Sequence, residues 1–230
     1  MKTILILHGW GSCAKNWNSV KELLEEQGYK VFIPDLPGFG ENPPPPQIWS
    51  IDDYAEWVRN YCEQYELSRF FLLGHSFGGS IAVKFSIKEP EKIEKLFLVG
   101  CAGIRKKSLK REIIKKTANF FKKFDFLPLF NLLRKVFYKL IKSDYLQTQG
   151  VMREIYLKIL KQDISKDFSK ISVPTVLIWG KKDNLTPLKD AHYIKGQISG
   201  AKLEILPGIY HNPHRENPKA LICIILNYLK

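Results

Sequence analysis

The stretch Phe70-Phe71-Leu72-Leu73-Gly74-His75-Ser76-Phe77-Gly78-Gly79-Ser80 decides the reading of the chain. Its first large apolar residues predict a strand buried on both faces. Gly-x-Ser-x-Gly follows at once, and then a run over 77–88 that predicts a helix, ended at Glu89-Pro90 because a residue before proline is pushed out of the helical region. A serine on so sharp a strand-to-helix turn projects its hydroxyl above the sheet. Small residues two before and two after it are needed because larger side chains would clash there. The helix adds its positive N-terminal end beneath the hydroxyl. Gly-x-Ser-x-Gly alone has many chance matches, but with a strand before it and a helix after it Ser76 is a candidate nucleophile, not part of an ordinary tight turn.

Similar apolar, β-branched runs recur at 3–7, 29–33, 69–73, 95–99, 175–179 and 202–206, each followed by Gly, Pro or Asp. Between them, helices are predicted over 14–27, 50–65, 188–198 and 218–229. The second opens with Ser50 and carries Asp53, an acidic variant of the capping box. The pattern predicts the α/β class, a doubly wound, mostly parallel sheet of about six strands. With 45% hydrophobic and 13% aromatic residues, 230 residues suffice for one substantial core.

Residues 104–171 break this rhythm. They are Lys, Phe, Leu and Ile at helical spacing without a convincing strand, which predicts a helical insertion in a core formed by 1–103 and 172–230; Pro128 and Gly150 mark breaks within it. Residues 104–170 hold 18 Lys/Arg and 6 Asp/Glu, so nearly all of the net charge of +13 belongs to this one segment. A compositional bias of the whole chain would have spread further. No recognised nucleic-acid module accompanies the charge, which argues against a nucleic-acid partner. The basic, Phe-rich run 119–130 points instead to solvated lysines over an apolar packing face, and beyond that to contact with anionic lipid or an acidic acyl carrier.

The apolar runs at 3–7 and 221–226 are too short to cross a membrane, and the first lacks the features of a secretory leader. Cys13, Cys62, Cys101 and Cys223 form no Cys-x-x-Cys pair, so neither a zinc site nor a disulfide framework is indicated. A cytoplasmic protein with reduced thiols is expected.

A serine hydroxyl is weakly nucleophilic at neutral pH, so an imidazole must take its proton and a carboxylate must hold that imidazole in the right tautomer. The run 175–179 leads into Gly180-Lys181-Lys182-Asp183-Asn184-Leu185-Thr186-Pro187, which puts Asp183 in the loop at a strand's C-terminal end. The run 202–206 leads into Pro207-Gly208-Ile209-Tyr210-His211-Asn212-Pro213, which puts His211 in the corresponding place. His214 is the rival base, but it lies three residues further from its strand. Asp35 also follows a strand and is outranked by Asp183 on chain position. His192 reads as a helix-surface residue, and Trp49, Trp57 and Trp179 as packing.

These pieces together resemble the α/β-hydrolase superfamily along nearly the whole chain apart from the insertion: His8-Gly9-Trp10-Gly11-Ser12, Asp35-Leu36-Pro37-Gly38-Phe39-Gly40, Gly74-His75-Ser76-Phe77-Gly78-Gly79, the 180–187 loop, and His211 with Glu216-Asn217-Pro218 after it. The resemblance implies a Ser76–His211–Asp183 triad and an oxyanion hole built from the backbone N–H groups of Trp10 and Phe77. It makes His8 and His75 loop-supporting residues and the insertion a cap over the site. It also implies that neither metal nor organic cofactor is needed, and that the substrate is a small ester with a hydrophobic acyl group. Two departures stand out. The family's usual first two strands have no counterpart before His8, and Tyr210 replaces the usual Gly before the histidine. Because position 76 is Ser and not Asp, the branches that form an alkyl ester on aspartate are disfavoured. Thioester hydrolysis, acyl transfer and carbon–carbon bond hydrolysis use the same residues. A non-enzymatic lipid- or partner-binding protein is the alternative from another class.

Overall fold

The computed structural model describes residues 2–105 and 149–229. The six apolar runs become β1 (Thr3–Leu7), β2 (Lys30–Phe32), β3 (Phe70–His75), β4 (Ile93–Val99), β5 (Thr175–Gly180) and β6 (Lys202–Leu206). They lie in the order β2-β1-β3-β4-β5-β6 with every neighbouring pair parallel. The helices among the described residues are α1 (Asn18–Glu25), α2 (Ile51–Gln64), α3 (Phe77–Lys88), α4 (Gly150–Lys161), α5 (Leu188–Gln197), α6 (Pro213–Glu216) and α7 (Pro218–Tyr228).

Side chains of successive strand residues point to opposite faces, and both faces are covered. Leu5, Leu7, Phe70, Leu72, Leu96, Leu98, Leu177 and Trp179 pack with α2, α3 and α5. Ile4, Ile6, Phe71, Leu73, Phe97, Val99, Val176 and Ile178 pack with α1 and α7 on the other side. This double cover explains why the strands read as nearly continuous apolar runs. β6 is one of the two edge strands, with β2 at the other end, and its one buried member is Leu206.

The helix predicted over 14–27 divides in two. A 3₁₀ turn, Ala14–Trp17, precedes α1 because the fully buried Trp17 is drawn toward the sheet and leaves the helical region, at φ −110°, ψ 5°. The predicted cap of α2 is present: Ser50 Oγ accepts from Asp53 N at 3.3 Å, and Asp53 Oδ2 accepts from Ser50 N at 2.6 Å.

Of the predicted insertion, residues 106–148 lie outside the described residues, including the 119–130 run and Pro128. Its two ends are described and are tied together. Ile164 N donates to Gly103 O at 3.0 Å, and the Arg105 guanidinium donates to Ile159 O and Gln162 O at 3.2 and 3.1 Å, capping the C-terminal end of α4. Gln162 Oε1 in turn accepts from Ile51 N at the start of α2. Gly150 marks the predicted break, with φ +56° at the first residue of α4. Among the described residues no helix is long and apolar enough to cross a membrane.

Candidate active site

The sheet order reverses between β1 and β3: from β1 the chain moves to one side for β2, then returns to the other side for β3 and beyond. In open parallel sheets that reversal opens a crevice at the C-terminal strand ends, where ligands bind. Ser76 stands there, immediately after β3. Its backbone has φ +52°, ψ −113°, a conformation that residues other than glycine adopt only under strain, here on the order of 1–3 kcal/mol. The strain is held by Ser76 N donating to Val99 O at 3.0 Å and Ala102 N donating to Ser76 O at 3.1 Å. Although Ser76 is the N-cap of α3, its hydroxyl makes no capping bond and is left for other work. The flanking glycines are sterically required. A Cβ on Gly74 would sit 2.5 Å from Gly78 O, and one on Gly78 would overlap the Leu7 carbonyl.

The neighbours of that hydroxyl come from loops after β5 and β6. Ser76 Oγ lies 2.9 Å from His211 Nε2, and His211 Nδ1 lies 2.7 Å from Asp183 Oδ2. Asp183 is buried, and its other oxygen, Oδ1, accepts from Leu185 N and Thr186 N, both at 2.9 Å. Burial pushes the Asp183 carboxyl up, but the hydrogen bond and charge of His211 and the two hydrogen bonds from Thr186 outweigh it and hold it below the usual carboxylate range. An ionised Asp183 fixes the proton of neutral His211 on Nδ1, which leaves the Nε2 lone pair facing Ser76. The arrangement can therefore draw a proton off the hydroxyl. Tyr210, where glycine was expected, is exposed. Its backbone N donates to Glu216 Oε2 at 2.7 Å, so the substitution leaves the His211 loop anchored.

Gly9 abuts the serine: a Cβ there would come 3.0 Å from His75 Nδ1 and 3.3 Å from Ser76 Cβ, so the His8-Gly9-Trp10-Gly11 loop lies against the turn that carries Ser76, and Phe77 begins α3 directly after it. The Trp10 and Phe77 rings meet edge to face at 5.3 Å. Phe39 at 4.9 Å and Tyr156 of α4 at 5.0 Å complete an aromatic cluster around Trp10.

The remaining candidates have other work. His8 accepts from Leu36 N through Nε2 at 3.0 Å and so donates through Nδ1 to Gly9 O at 2.9 Å, fixing the loop beside Ser76. His75 Nε2 donates to His211 O at 2.8 Å. Burial first, then the neighbouring His214 and His211, keeps His75 neutral, well below the ordinary histidine range. His214 stacks on Trp17 at 4.1 Å, with neither ring nitrogen hydrogen-bonded among the described residues, and burial pushes it down to about 3. Asp35 accepts from Ala14 N and Glu41 N and ties two loops together. His192 is exposed on α5, Trp49 and Trp57 pack against the core, and Trp179 Nε1 donates to Thr186 O at 2.7 Å. Among the described residues no group of three or more His, Cys, Asp or Glu side chains stands where it could hold a metal ion.

Thr186 was not singled out in the sequence, although its hydroxyl lies 2.8 Å from Asp183 Oδ2 and 3.3 Å from His211 Nδ1. The signal available was Asp-x-x-Thr-Pro, since aspartate side chains accept from backbone N–H groups just downstream and fold the loop back on themselves.

Compared with known proteins, residues 1–218 match the family model described as serine aminopeptidase, S33. Lipase 1 of Psychrobacter immobilis is 28% identical over 232 residues, covering 91% of this chain and 71% of that protein. The 2-hydroxy-6-oxononadienedioate/2-hydroxy-6-oxononatrienedioate hydrolase of Escherichia coli K12 is 26% identical over 251 residues, covering 99% and 87% respectively. Among solved structures, an esterase from Exiguobacterium antarcticum matches with a TM-score of 0.76 at 21% identity, covering 100% of this chain and 92% of that one, a likeness of fold.

Proposed function

The chain belongs to the serine aminopeptidase S33 family of α/β-hydrolases, and on that footing we propose that it cleaves carboxylic esters with hydrophobic acyl groups through an acyl-enzyme on Ser76. The observation that carries the proposal is the unbroken contact Ser76 Oγ, His211, Asp183 at 2.9 and 2.7 Å, built on a serine held at φ +52°. In this reading His211 takes the hydroxyl proton as Oγ attacks the carbonyl carbon. The tetrahedral oxygen turns to the backbone N–H groups of Trp10 and Phe77, and the loss of one such donor typically costs about 100-fold or more. His211 then returns the proton to the leaving alcohol, and a water activated by the same imidazole releases the acid. Asp183 keeps its charge throughout and stabilises the imidazolium.

The aromatic cluster of Trp10, Phe39, Phe77 and Tyr156 supports an apolar acyl group, because these rings gather around Phe77, the residue after Ser76, and around Trp10, the residue after the Gly9 that abuts it. Residues 104–171 are read as a cap over a core of 1–103 and 172–230, and their positive charge favours an acyl group presented by anionic lipid or an acidic carrier. A cytoplasmic setting with reduced thiols goes with this reading. Carbon–carbon bond hydrolysis is the second reading, supported by the 26% identity to the Escherichia coli dienedioate hydrolase over 99% of this chain.

The test is reaction with a fluorophosphonate probe beside Ser76→Ala, then turnover of p-nitrophenyl esters of rising acyl length and of a vinylogous diketo acid. Labelling confined to the wild type and a rate that climbs with acyl length are expected. A folded wild type that neither labels nor turns over any ester would refute the proposal, and turnover of the diketo acid alone would hand it to the second reading.

A further inference from the structure

Thr186 is tethered on every side. Its N donates to Asp183 Oδ1 at 2.9 Å and its O accepts from buried Trp179 Nε1 at 2.7 Å, so the residue is fixed before its side chain is considered. As a β-branched residue it has few rotamers to choose from. Its hydroxyl has one proton and three neighbours: Asp183 Oδ2 at 2.8 Å, Gly100 O at 3.1 Å and His211 Nδ1 at 3.3 Å. Two acceptor oxygens compete for that proton, and the charged carboxylate is both the closer and the stronger. The oxygen that receives it, Oδ2, is the one that faces His211.

We infer that Thr186 is a positioning residue of the site, whose hydroxyl holds Asp183 Oδ2 in line with His211 Nδ1 and tempers the pull of that carboxylate on the imidazole. The inference rests on the reading of Ser76, His211 and Asp183 as the reacting unit. Without the hydroxyl, Oδ2 keeps only the His211 bond, and the carboxylate can rotate about the two backbone donors on Oδ1. A carboxylate that has lost a donor also attracts an adjacent imidazolium more strongly. The other titratable rings beside His211, His75 at a centroid distance of 5.0 Å and His214, which interacts with it electrostatically, are unchanged by the substitution.

Thr186→Val preserves shape and removes the hydroxyl, and Thr186→Ser restores it. On a p-nitrophenyl ester that the wild type turns over, T186V should lower kcat about tenfold, the scale of one hydrogen bond to a charged group, with KM within about twofold. The acid limb of its kcat/KM profile should move to higher pH, and T186S should restore both rate and profile. A merely structural role would lower the melting temperature or the amount of active enzyme while leaving the pH profile in place. T186V with kcat within about twofold of wild type and a superposed profile overturns the inference, as does a loss that T186S shares in full. If T186V does not fold, T186A against T186S makes the same comparison. Fluorophosphonate labelling of wild type and Ser76→Ala is run alongside: an unlabelled wild type refutes the triad itself, whereas a labelled wild type with an indifferent Thr186 refutes only the positioning role.

Discussion

Replacing Asp183 by asparagine changes one oxygen to an NH₂ group, and the structure fixes what either orientation of the amide must do. With the amide nitrogen in the Oδ2 position, it points a donor at His211 Nδ1, 2.7 Å away, and at the Thr186 hydroxyl. His211 then answers with a lone pair on Nδ1, so its proton moves to Nε2 and faces Ser76 Oγ, where no proton can be accepted. With the amide flipped, the nitrogen meets the N–H groups of Leu185 and Thr186, two donors at 2.9 Å, inside a buried site. Each such unmatched pair costs about 1–3 kcal/mol, so the first orientation wins and the wrong tautomer dominates. The expected loss is about 10⁴-fold in kcat, the scale of a triad histidine held in the wrong tautomer, with KM little changed because Asp183 lies behind His211 and away from Ser76. Stability should fall by only about 1–3 kcal/mol. The assay is ester turnover with urea unfolding on the same preparation, and labelling by fluorophosphonate should slow in parallel with turnover. Asp183→Asn within about tenfold of wild-type kcat would refute the reasoning, since it would mean that the carboxylate does not set the tautomer.

Ser76→Gly removes both the proposed nucleophile and the cost of a side chain at φ +52°, so labelling should vanish while stability rises by about 1 kcal/mol; an unfolding midpoint below that of Ser76→Ala would show that the elbow is unstrained. Gly78→Ala drives a Cβ into the Leu7 carbonyl and should cost on the order of 3 kcal/mol in urea unfolding as well as activity, whereas a near-neutral result would mean that β1 and α3 stand further apart than described. His214 has its folded pKa depressed from 6.5 to about 3, by burial first and then by Arg215, His211 and His8. Its contribution is therefore full above pH 6.5 and is lost as pH falls toward 3, because the unfolded chain binds a proton that the folded one refuses. The slope is about 1.4 kcal/mol per pH unit, or about 2 kcal/mol by pH 5. His214→Phe keeps the stack on Trp17 and should flatten the decline of melting temperature between pH 7 and 5; an unchanged slope would assign the acid sensitivity elsewhere.

The inner strands were legible because they are buried on both faces, so hydrophobicity alone marks them; β1 and the more exposed edge strand β6 both run over the residues that their pattern predicts. Boundaries slipped where hydrophobicity stops but hydrogen bonding continues, as at Gly74 and His75, which complete β3 through pairing with Leu98 and Val99. Ser76, Asp183 and His211 were legible through their places after strands, and the structure brings the three side chains into contact. The break before α1 was not, since it depends on Trp17 finding His214 nearly two hundred residues along the chain. Thr186 stayed hidden for the same reason: its hydroxyl matters only once β4, β5 and β6 have set Gly100, Asp183 and His211 around it.

The clasp at Gly103, Arg105, Ile159, Gln162 and Ile164 has a consequence for how such a chain can change. Residues 103–105 and 159–164 stand side by side at the core, so the sequence between them, which includes α4 with its core residue Ile155, starts and finishes at one point. The entropic cost of a flexible loop grows only with the logarithm of its length, about 0.6 kcal/mol per doubling. A change of length between 106 and 148 therefore need not move the ends of β3, β5 and β6 that carry Ser76, Asp183 and His211. Under the proposed reading of 104–171 as a cap, substrate preference and reaction chemistry can then change separately, and a new diet can be acquired without relearning how to cut.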